Sequence, residues 1–286
     1  MQPVVNESLR ITQIFSVKLP VIGMIHLPAL PGSPGCEMQD GFSASWSRIE
    51  RFVMADAMAL AEGGVDGIMI ENFGDIPFFP GANPVHVATL MTSMATKVRQ
   101  QSRKPIGINV LRNDGVTALA VALASDAQFI RVNVLSGARV TDQGLIQGGA
   151  HELLRYRNQI GADHIAILAD VQVKHSSPLG MGTNLSQDVD DLCHRALADG
   201  VIVSGSGTGK AVDLDALKAT RIAAGGHPVF IGSGTSPDNV GELSKNAYGF
   251  IVGTSFKVGG VLDAPVDVGR VAKFMAAVGG LRAKLD

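Results

Sequence analysis

The sequence predicts an α/β fold, a (β/α)8 TIM barrel in a single domain, on three observations. Short β-branched runs alternate strictly with segments of helical apolar spacing, eight times over. Eight such units in about 250 residues match the count and size of a closed barrel. No linker or composition break divides the chain in half, which argues against a doubly wound open sheet.

The elements follow in order. Residues 1–19 form an N-terminal extension of weak helical character, expected to cover the barrel bottom, and residues 20–286 form the barrel. The first strand is read at Val21–Leu27, and the helix after it carries Ile49, Phe52, Val53, Ala57 and Leu60 on one face. The second strand is Asp66–Asn72, followed by a helix with Val87, Leu90, Met91, Met94 and Val98. Pro105 introduces the third strand at Ile106–Leu111, and the fourth is Phe129–Val134. The fifth is Ile165–Val173 and the sixth Val201–Ser204, the latter leading to a helix with Leu214, Leu217 and Ile222. Pro228 introduces the seventh strand at Val229–Gly232, and Gly249–Gly253 is the eighth. Gly63, Gly161, Gly200 and Gly225 are read as helix-closing glycines. Parallel strands joined by helices require right-handed crossovers, which place every strand's C-terminal end on one face.

Composition narrows the function classes. Of the 286 residues 46% are hydrophobic, enough for a sizeable core. The net charge of −2 with scattered Lys and Arg leaves no electrostatic footprint for nucleic acid. Cys36 and Cys193 are far apart and lack metal or redox spacing, so they are expected to stay reduced in a cytoplasmic setting. The first 20 residues show no signal-peptide pattern, and no apolar run reaches the ~18–20 residues that span a bilayer. Association into a homo-oligomer is the ordinary expectation for such a barrel.

Polar residues gather where a barrel places its chemistry. The first strand ends at His26, the second at Glu71, the third at Asn109; the fourth carries Arg131 and Asn133, the fifth Asp170, Gln172 and Lys174, followed by His175. Side chains two apart share a face, so Asp170, Gln172 and Lys174 are expected to point together. Singly, each has a structural reading: a satisfied histidine, an ion pair of Glu71 with Lys174 or Arg131, asparagines serving loop backbone. Convergence from five successive strands favours a ligand site. In it Glu71 and Asp170 supply acid–base capacity, His26 stands beside them, and Lys174 neutralises an anion or forms an imine. Asn109, Arg131, Asn133 and His175 complete the ligand-binding set. A divalent metal on His26, Glu71, Asp170 and His175 is the lesser alternative, without HxH or HExxH spacing, and no cofactor is expected.

The last three units add glycine-rich exits: "VSGSGTGK" (203–210), "IGSGTSP" (231–237) and "VGTSF" (252–256). The first lacks the spacing and the Lys-Ser/Thr of a nucleotide-binding P-loop. Glycine lets backbone N–H groups approach an anion, and exits after the last two strands are the usual phosphate position in this fold. The expected cradle is Gly232, Ser233 and Gly234 with Gly253, Thr254 and Ser255, and with Gly205 or Gly207 close by. Tight strand-to-helix turns would use the same glycines, and that alternative stays open.

These stretches also resemble a known family. "GMIHLPALPGSPG", "IENFGDIPF", "GINVLRND", "FIRVNVLSGARVTDQGLIQG", "ILADVQVKHSSPL", "VIVSGSGTG" and "GFIVGTSFK" are similar to the BtpA family, in colinear order from about residue 14 to about 275. The resemblance implies a (β/α)8 barrel and carries no assigned reaction. The family is named for a cyanobacterial factor required to accumulate photosystem I reaction-centre proteins, extrinsic to thylakoid membranes; SgcQ-like members belong to sugar operons. Lys210 departs from the pattern, standing where a small or turn-forming residue is expected. Two functions therefore compete. One is a metabolic enzyme acting on a phosphorylated small molecule, a sugar phosphate or nucleotide-like compound, as a lyase, isomerase or hydrolase. The other is a non-enzymatic stability factor for photosystem I polypeptides in a photosynthetic source, peripheral to the thylakoid.

Overall fold

The computed structural model describes residues 9–180, 184–205, 207 and 210–285. The first half runs α1 (Arg10–Ile14), β1 (Val21–His26), α2 (Gly41–Glu62), β2 (Gly67–Glu71), α3 (Val85–Ser102), β3 (Ile106–Asn109), α4 (Gly115–Ser125) and β4 (Phe129–Val132). A hairpin, β5 (Ala138–Thr141) and β6 (Gly144–Gln147), precedes α5 (Ala150–Gln159) and β7 (Ala166–Val171). Then come β8 (Ser176–Pro178), α6 (Leu185–Asp190), β9 (Gly200–Val203), α7 (Leu214–Ala223), β10 (Val229–Ile231), α8 (Val240–Leu243), β11 (Gly249–Val252) and α9 (Val268–Arg282). Eight parallel strands close in the order β1-β2-β3-β4-β7-β9-β10-β11, and the seam between first and last pairs Val21 with Phe250 and Gly23 with Val252. The chain is a (β/α)8 barrel.

Alternation along each strand makes two cores. Ile22, Met24, Met69, Phe129, Leu168, Ile202, Phe230 and Ile251 point inward and fill the barrel. Ile25, Ile68, Ile70, Ile108, Ile130, Ile167, Val203 and Ile231 point outward against helix residues such as Ile49, Val53, Leu60, Met91, Met94 and Val98. Two inward glycines have a packing reason: a Cβ on Gly107 would lie 2.1 Å from the Phe129 ring, and one on Gly249 would lie 2.8 Å from Phe230. At the bottom, Ile11 and Phe15 of the extension enter the inner core, Phe15 meeting Phe129 edge-on at 5.8 Å. Residues 1–8 of the extension lie outside the described residues.

Several sequence readings shift. The fifth barrel strand ends at Val171, because Gln172 takes φ 48° and turns the chain. Gln172 then donates to Asp188 Oδ2 at 2.8 Å, so Asp170, Gln172 and Lys174 do not share one face. On α7 Leu217 and Thr220 face the core, whereas Ile222 is 73% exposed: five residues beyond Leu217 it lies on the far side of the helix. Gly200 opens β9 instead of closing a helix; its missing side chain makes room for Leu168. The hairpin was not foreseen. With β8 it forms a three-stranded antiparallel sheet, order β6-β5-β8, built from the loops after β4 and β7.

Candidate active site at the barrel mouth

Strand register lines up the inward polar residues. His26 is level with Glu71, Glu71 with Asn109, and Asn109 with Arg131, one row across four neighbouring strands. Each of the four stands two positions beyond an inward residue of its own strand, Met24, Met69, Gly107 or Phe129, and therefore points inward as well. Asn109 Nδ2 donates to Glu71 Oε2. Arg131 donates from Nε to Asp170 Oδ2 at 2.9 Å and from Nη2 to Oδ1 at 2.8 Å, while Asn133 Nδ2 adds a 2.6 Å bond to Oδ2. That pair is fully buried, its side chains 3% and 0% exposed. Asp170 thus accepts three hydrogen bonds from Arg131 and Asn133, the support by Arg131 that the sequence reading expects, and it positions Arg131.

A cavity of about 210 Å³ opens at this end of the barrel. One side is lined by His26, Glu71, Arg131 and Lys174; the other by Gly232-Ser233-Gly234-Thr235-Ser236 and Gly253-Thr254-Ser255. Asn109, Asn133 and Asp170 do not line it: Asn109 holds Glu71, Asp170 holds Arg131, and Asn133 braces Asp170. His175 is exposed and outside it. Among the described residues the N–H groups of Gly234, Thr235, Thr254 and Ser255 meet no acceptor. Asn239 shapes the first loop, accepting from Ser236 N–H at 2.8 Å and donating to Gly234 O at 2.8 Å.

Gly205 and Gly207 fall outside the cavity. Gly205 donates its N–H to Ser233 Oγ at 2.8 Å, and a Cβ on Gly205 or Gly234 would sit 2.2 or 2.3 Å from Lys210 O. Close approach of the Lys210 backbone is thus the reason for these two glycines, and Lys210 contributes main chain there. Ser206, Thr208 and Gly209 of the same stretch lie outside the described residues. Neither loop leads directly into a long helix: a four-residue α8 and a 3-10 turn at Thr254–Phe256 follow them. Any anion here would meet individual N–H groups, not a macrodipole.

His26 packs on the Phe73 ring at 5.0 Å, and its Nδ1 is buried without a partner. Burial first, then the positive charges of Lys257, Lys174 and Arg131, lower its pKa to about 3, so the imidazole is neutral at physiological pH. Burial, reinforced by Arg131, likewise lowers Lys174, against the pull of Glu71 and Asp170. Two supporting cations escaped the sequence reading. Arg112, buried after β3, donates from Nη2 to Lys174 O at 2.7 Å. Lys257 is buried behind the second loop, its Nζ 2.6 Å from Asp56 Oδ2 and 5.5 Å from the Phe52 ring centroid. Both lie in stretches that carry the family resemblance, "GINVLRND" and "GFIVGTSFK", which was the available signal. Among the described residues no group of three or more His, Cys, Asp and Glu is placed to hold a metal ion, and no helix is long and apolar enough to cross a membrane.

Residues 17–280 match the BtpA family. The chain is 47% identical over 273 residues to the photosystem I biogenesis protein BtpA of Synechocystis sp., covering 95% of this chain and 92% of that one. It is 43% identical to an uncharacterized protein of Thermococcus kodakarensis (92% and 96% covered) and 37% identical to an uncharacterized mitochondrial protein of Caenorhabditis elegans (92% and 94%). Among solved structures it resembles the thiamine phosphate pyrophosphorylase of Pyrococcus furiosus, with TM-score 0.56, 14% identity and 92% and 96% coverage. The phosphoribosyl anthranilate isomerase of Thermus thermophilus gives TM-score 0.52 at 11% identity, with 92% and 100% coverage.

Proposed function

Since the chain belongs to the BtpA family, and that family's barrel here ends in a lined polar cavity, we propose that it is a metabolic enzyme acting on a phosphorylated small molecule. One observation carries the reading. Two loops whose Gly234, Thr235, Thr254 and Ser255 N–H groups meet no acceptor among the described residues line one cavity together with His26, Glu71, Arg131 and Lys174. A phosphate needs several converging donors, and glycine-rich backbone supplies them without steric cost. The reacting part of the ligand would then lie against Glu71, Lys174 and His26. Arg131 offers fixed positive charge, being clamped by Asp170. The solved structures named above support the fold only, and the reading does not lean on them.

Inorganic phosphate tests it. At ten times its Kd, a ligand of the folded state adds about 1.4 kcal/mol, which raises Tm by roughly 3–5 °C in a chain of this size. Thr254→Asp places a carboxylate at the second loop and should remove that shift, while Thr254→Ala, which keeps the backbone N–H, should retain most of it. A wild-type melting curve unmoved by phosphate, or an equal shift in Thr254→Asp, defeats the reading. The second function, stabilising photosystem I polypeptides, draws on the name of the Synechocystis relative. Phosphate-responsive melting together with turnover of a phosphorylated metabolite decides against it as the sole role.

A further inference from the structure

Besides Arg112, whose Nη2 donates to the Lys174 carbonyl, three cations stand in or beside the mouth cavity, and two of these are held by carboxylates. Arg131 gives both ends of its fork to Asp170, and Lys257 gives Nζ to Asp56. Lys174 is different. Its carbonyl accepts from Arg112, which fixes the main chain over the mouth, yet its Nζ has no hydrogen-bond or ion-pair partner among the described residues. Glu71, the carboxyl that could neutralise it across the same cavity, takes Asn109 instead. A half-buried ammonium without a partner is costly, and a purely structural lysine would have been paired or left in water. Burial and Arg131 favour its neutral amine, the form that is a nucleophile.

We propose that Lys174 forms an imine with the carbonyl carbon of a short-chain phosphorylated aldehyde or ketone. The cavity, about 210 Å³, lies below the ~300–1,000 Å³ usual for larger ligands, which fits a short chain. The Nζ lone pair adds to the carbonyl carbon, the C=O π pair moves to oxygen, and the first Nζ proton passes through Glu71 to that oxygen to give the carbinolamine. The carbinolamine transfers an Nζ proton through Glu71 to its hydroxyl, and water leaves as the C=N bond forms. Amine plus carbonyl gives imine plus water, with no change of oxidation state. The substrate class rests on the phosphate reading above; the amine chemistry does not.

The test is reductive trapping. The full chain is incubated with glyceraldehyde 3-phosphate or with glyceraldehyde, treated with borohydride, and analysed by intact mass and peptide mapping. One adduct per chain is expected, at Lys174, formed at about tenfold lower concentration of the phosphorylated compound. Lys174→Arg should abolish it while retaining the melting shift produced by inorganic phosphate. Adducts scattered over other lysines and unchanged in Lys174→Arg overturn the proposal. So does an absence of adduct in a wild-type protein whose Tm still responds to phosphate, and that result leaves the phosphate reading standing. Equal trapping of both aldehydes at Lys174, with no phosphate shift, upholds the imine and overturns the phosphate.

Discussion

Asp170→Asn separates support from chemistry at this mouth. Asp170 accepts three hydrogen bonds, two at Oδ2 from Arg131 Nε and Asn133 Nδ2 and one at Oδ1 from Arg131 Nη2. An asparagine can place its oxygen at the doubly bonded position, but its amide then points a donor at Arg131 Nη2. The charge is lost as well, and Arg131 is left unpaired with its side chain 3% exposed. Removing one partner of a buried pair costs about 3–5 kcal/mol. At roughly 2–4 °C per kcal/mol for a chain of this size, Tm should fall by about 6–20 °C. Urea unfolding gives the free energy directly. Arg131→Met combined with Asp170→Leu removes both charges and should be less damaging than the two single losses summed, with a coupling of about 1–3 kcal/mol. A loss under about 1 kcal/mol in Asp170→Asn, or strict additivity in the double variant, would refute the argument that Asp170 exists to hold Arg131.

Two further outcomes follow from His26. Its pKa is depressed in the folded state, so the stability tied to its neutral form is complete above the unfolded value near 6.5 and is lost as pH falls toward about 3. Unfolding free energy should drop by up to about 1.4 kcal/mol per unit between pH 6.5 and 5, before most carboxylates titrate, and His26→Gln should flatten that slope; parallel slopes in the two proteins would refute the assignment. Gly253→Ala would place a Cβ 2.8 Å from His26 Cε1, forcing the ring against Phe73. A cost of about 1–3 kcal/mol and a weaker phosphate response are expected, and unchanged melting with and without phosphate would show that the ring has room to spare.

The barrel was legible because its signals are local: period-two strands, helical apolar faces, and proline or glycine at their ends. The row His26, Glu71, Asn109, Arg131 was legible for the same reason, each residue being the last inward side chain of its strand. What stayed hidden depends on long-range geometry. Arg131 is level with Leu168, and the stagger of the barrel brings it to Asp170, two residues further along β7. Alternation alone cannot give that offset. The small sheet pairs Arg139 with Pro178, and strands so short and polar have no distinctive period. The glycines of the sixth and seventh exits show a different limit. Gly205 and Gly234 read as phosphate turns, yet both also accommodate the Lys210 backbone, a contact made between separate loops.

The charges at the mouth are arranged so that most of them cannot move. Asp170 fixes Arg131, Asp56 fixes Lys257, and Arg112 fixes the main chain of Lys174. Burial, with the fixed cations Lys257 and Arg131, holds His26 neutral, and burial with Arg131 lowers the proton affinity of Lys174, whose Nζ has no partner among the described residues. Reorganisation of such groups is largely complete before any ligand arrives, which is the condition under which electrostatic stabilisation is effective. The costs of that arrangement appear as buried polar atoms without partners, His26 Nδ1 among them. A fold selected for stability alone would replace such groups with apolar ones at little loss. That His26, Glu71, Arg131 and Lys174 share one cavity with loops whose backbone donors are unengaged among the described residues is the physical ground for reading this barrel as a site for chemistry on an anion.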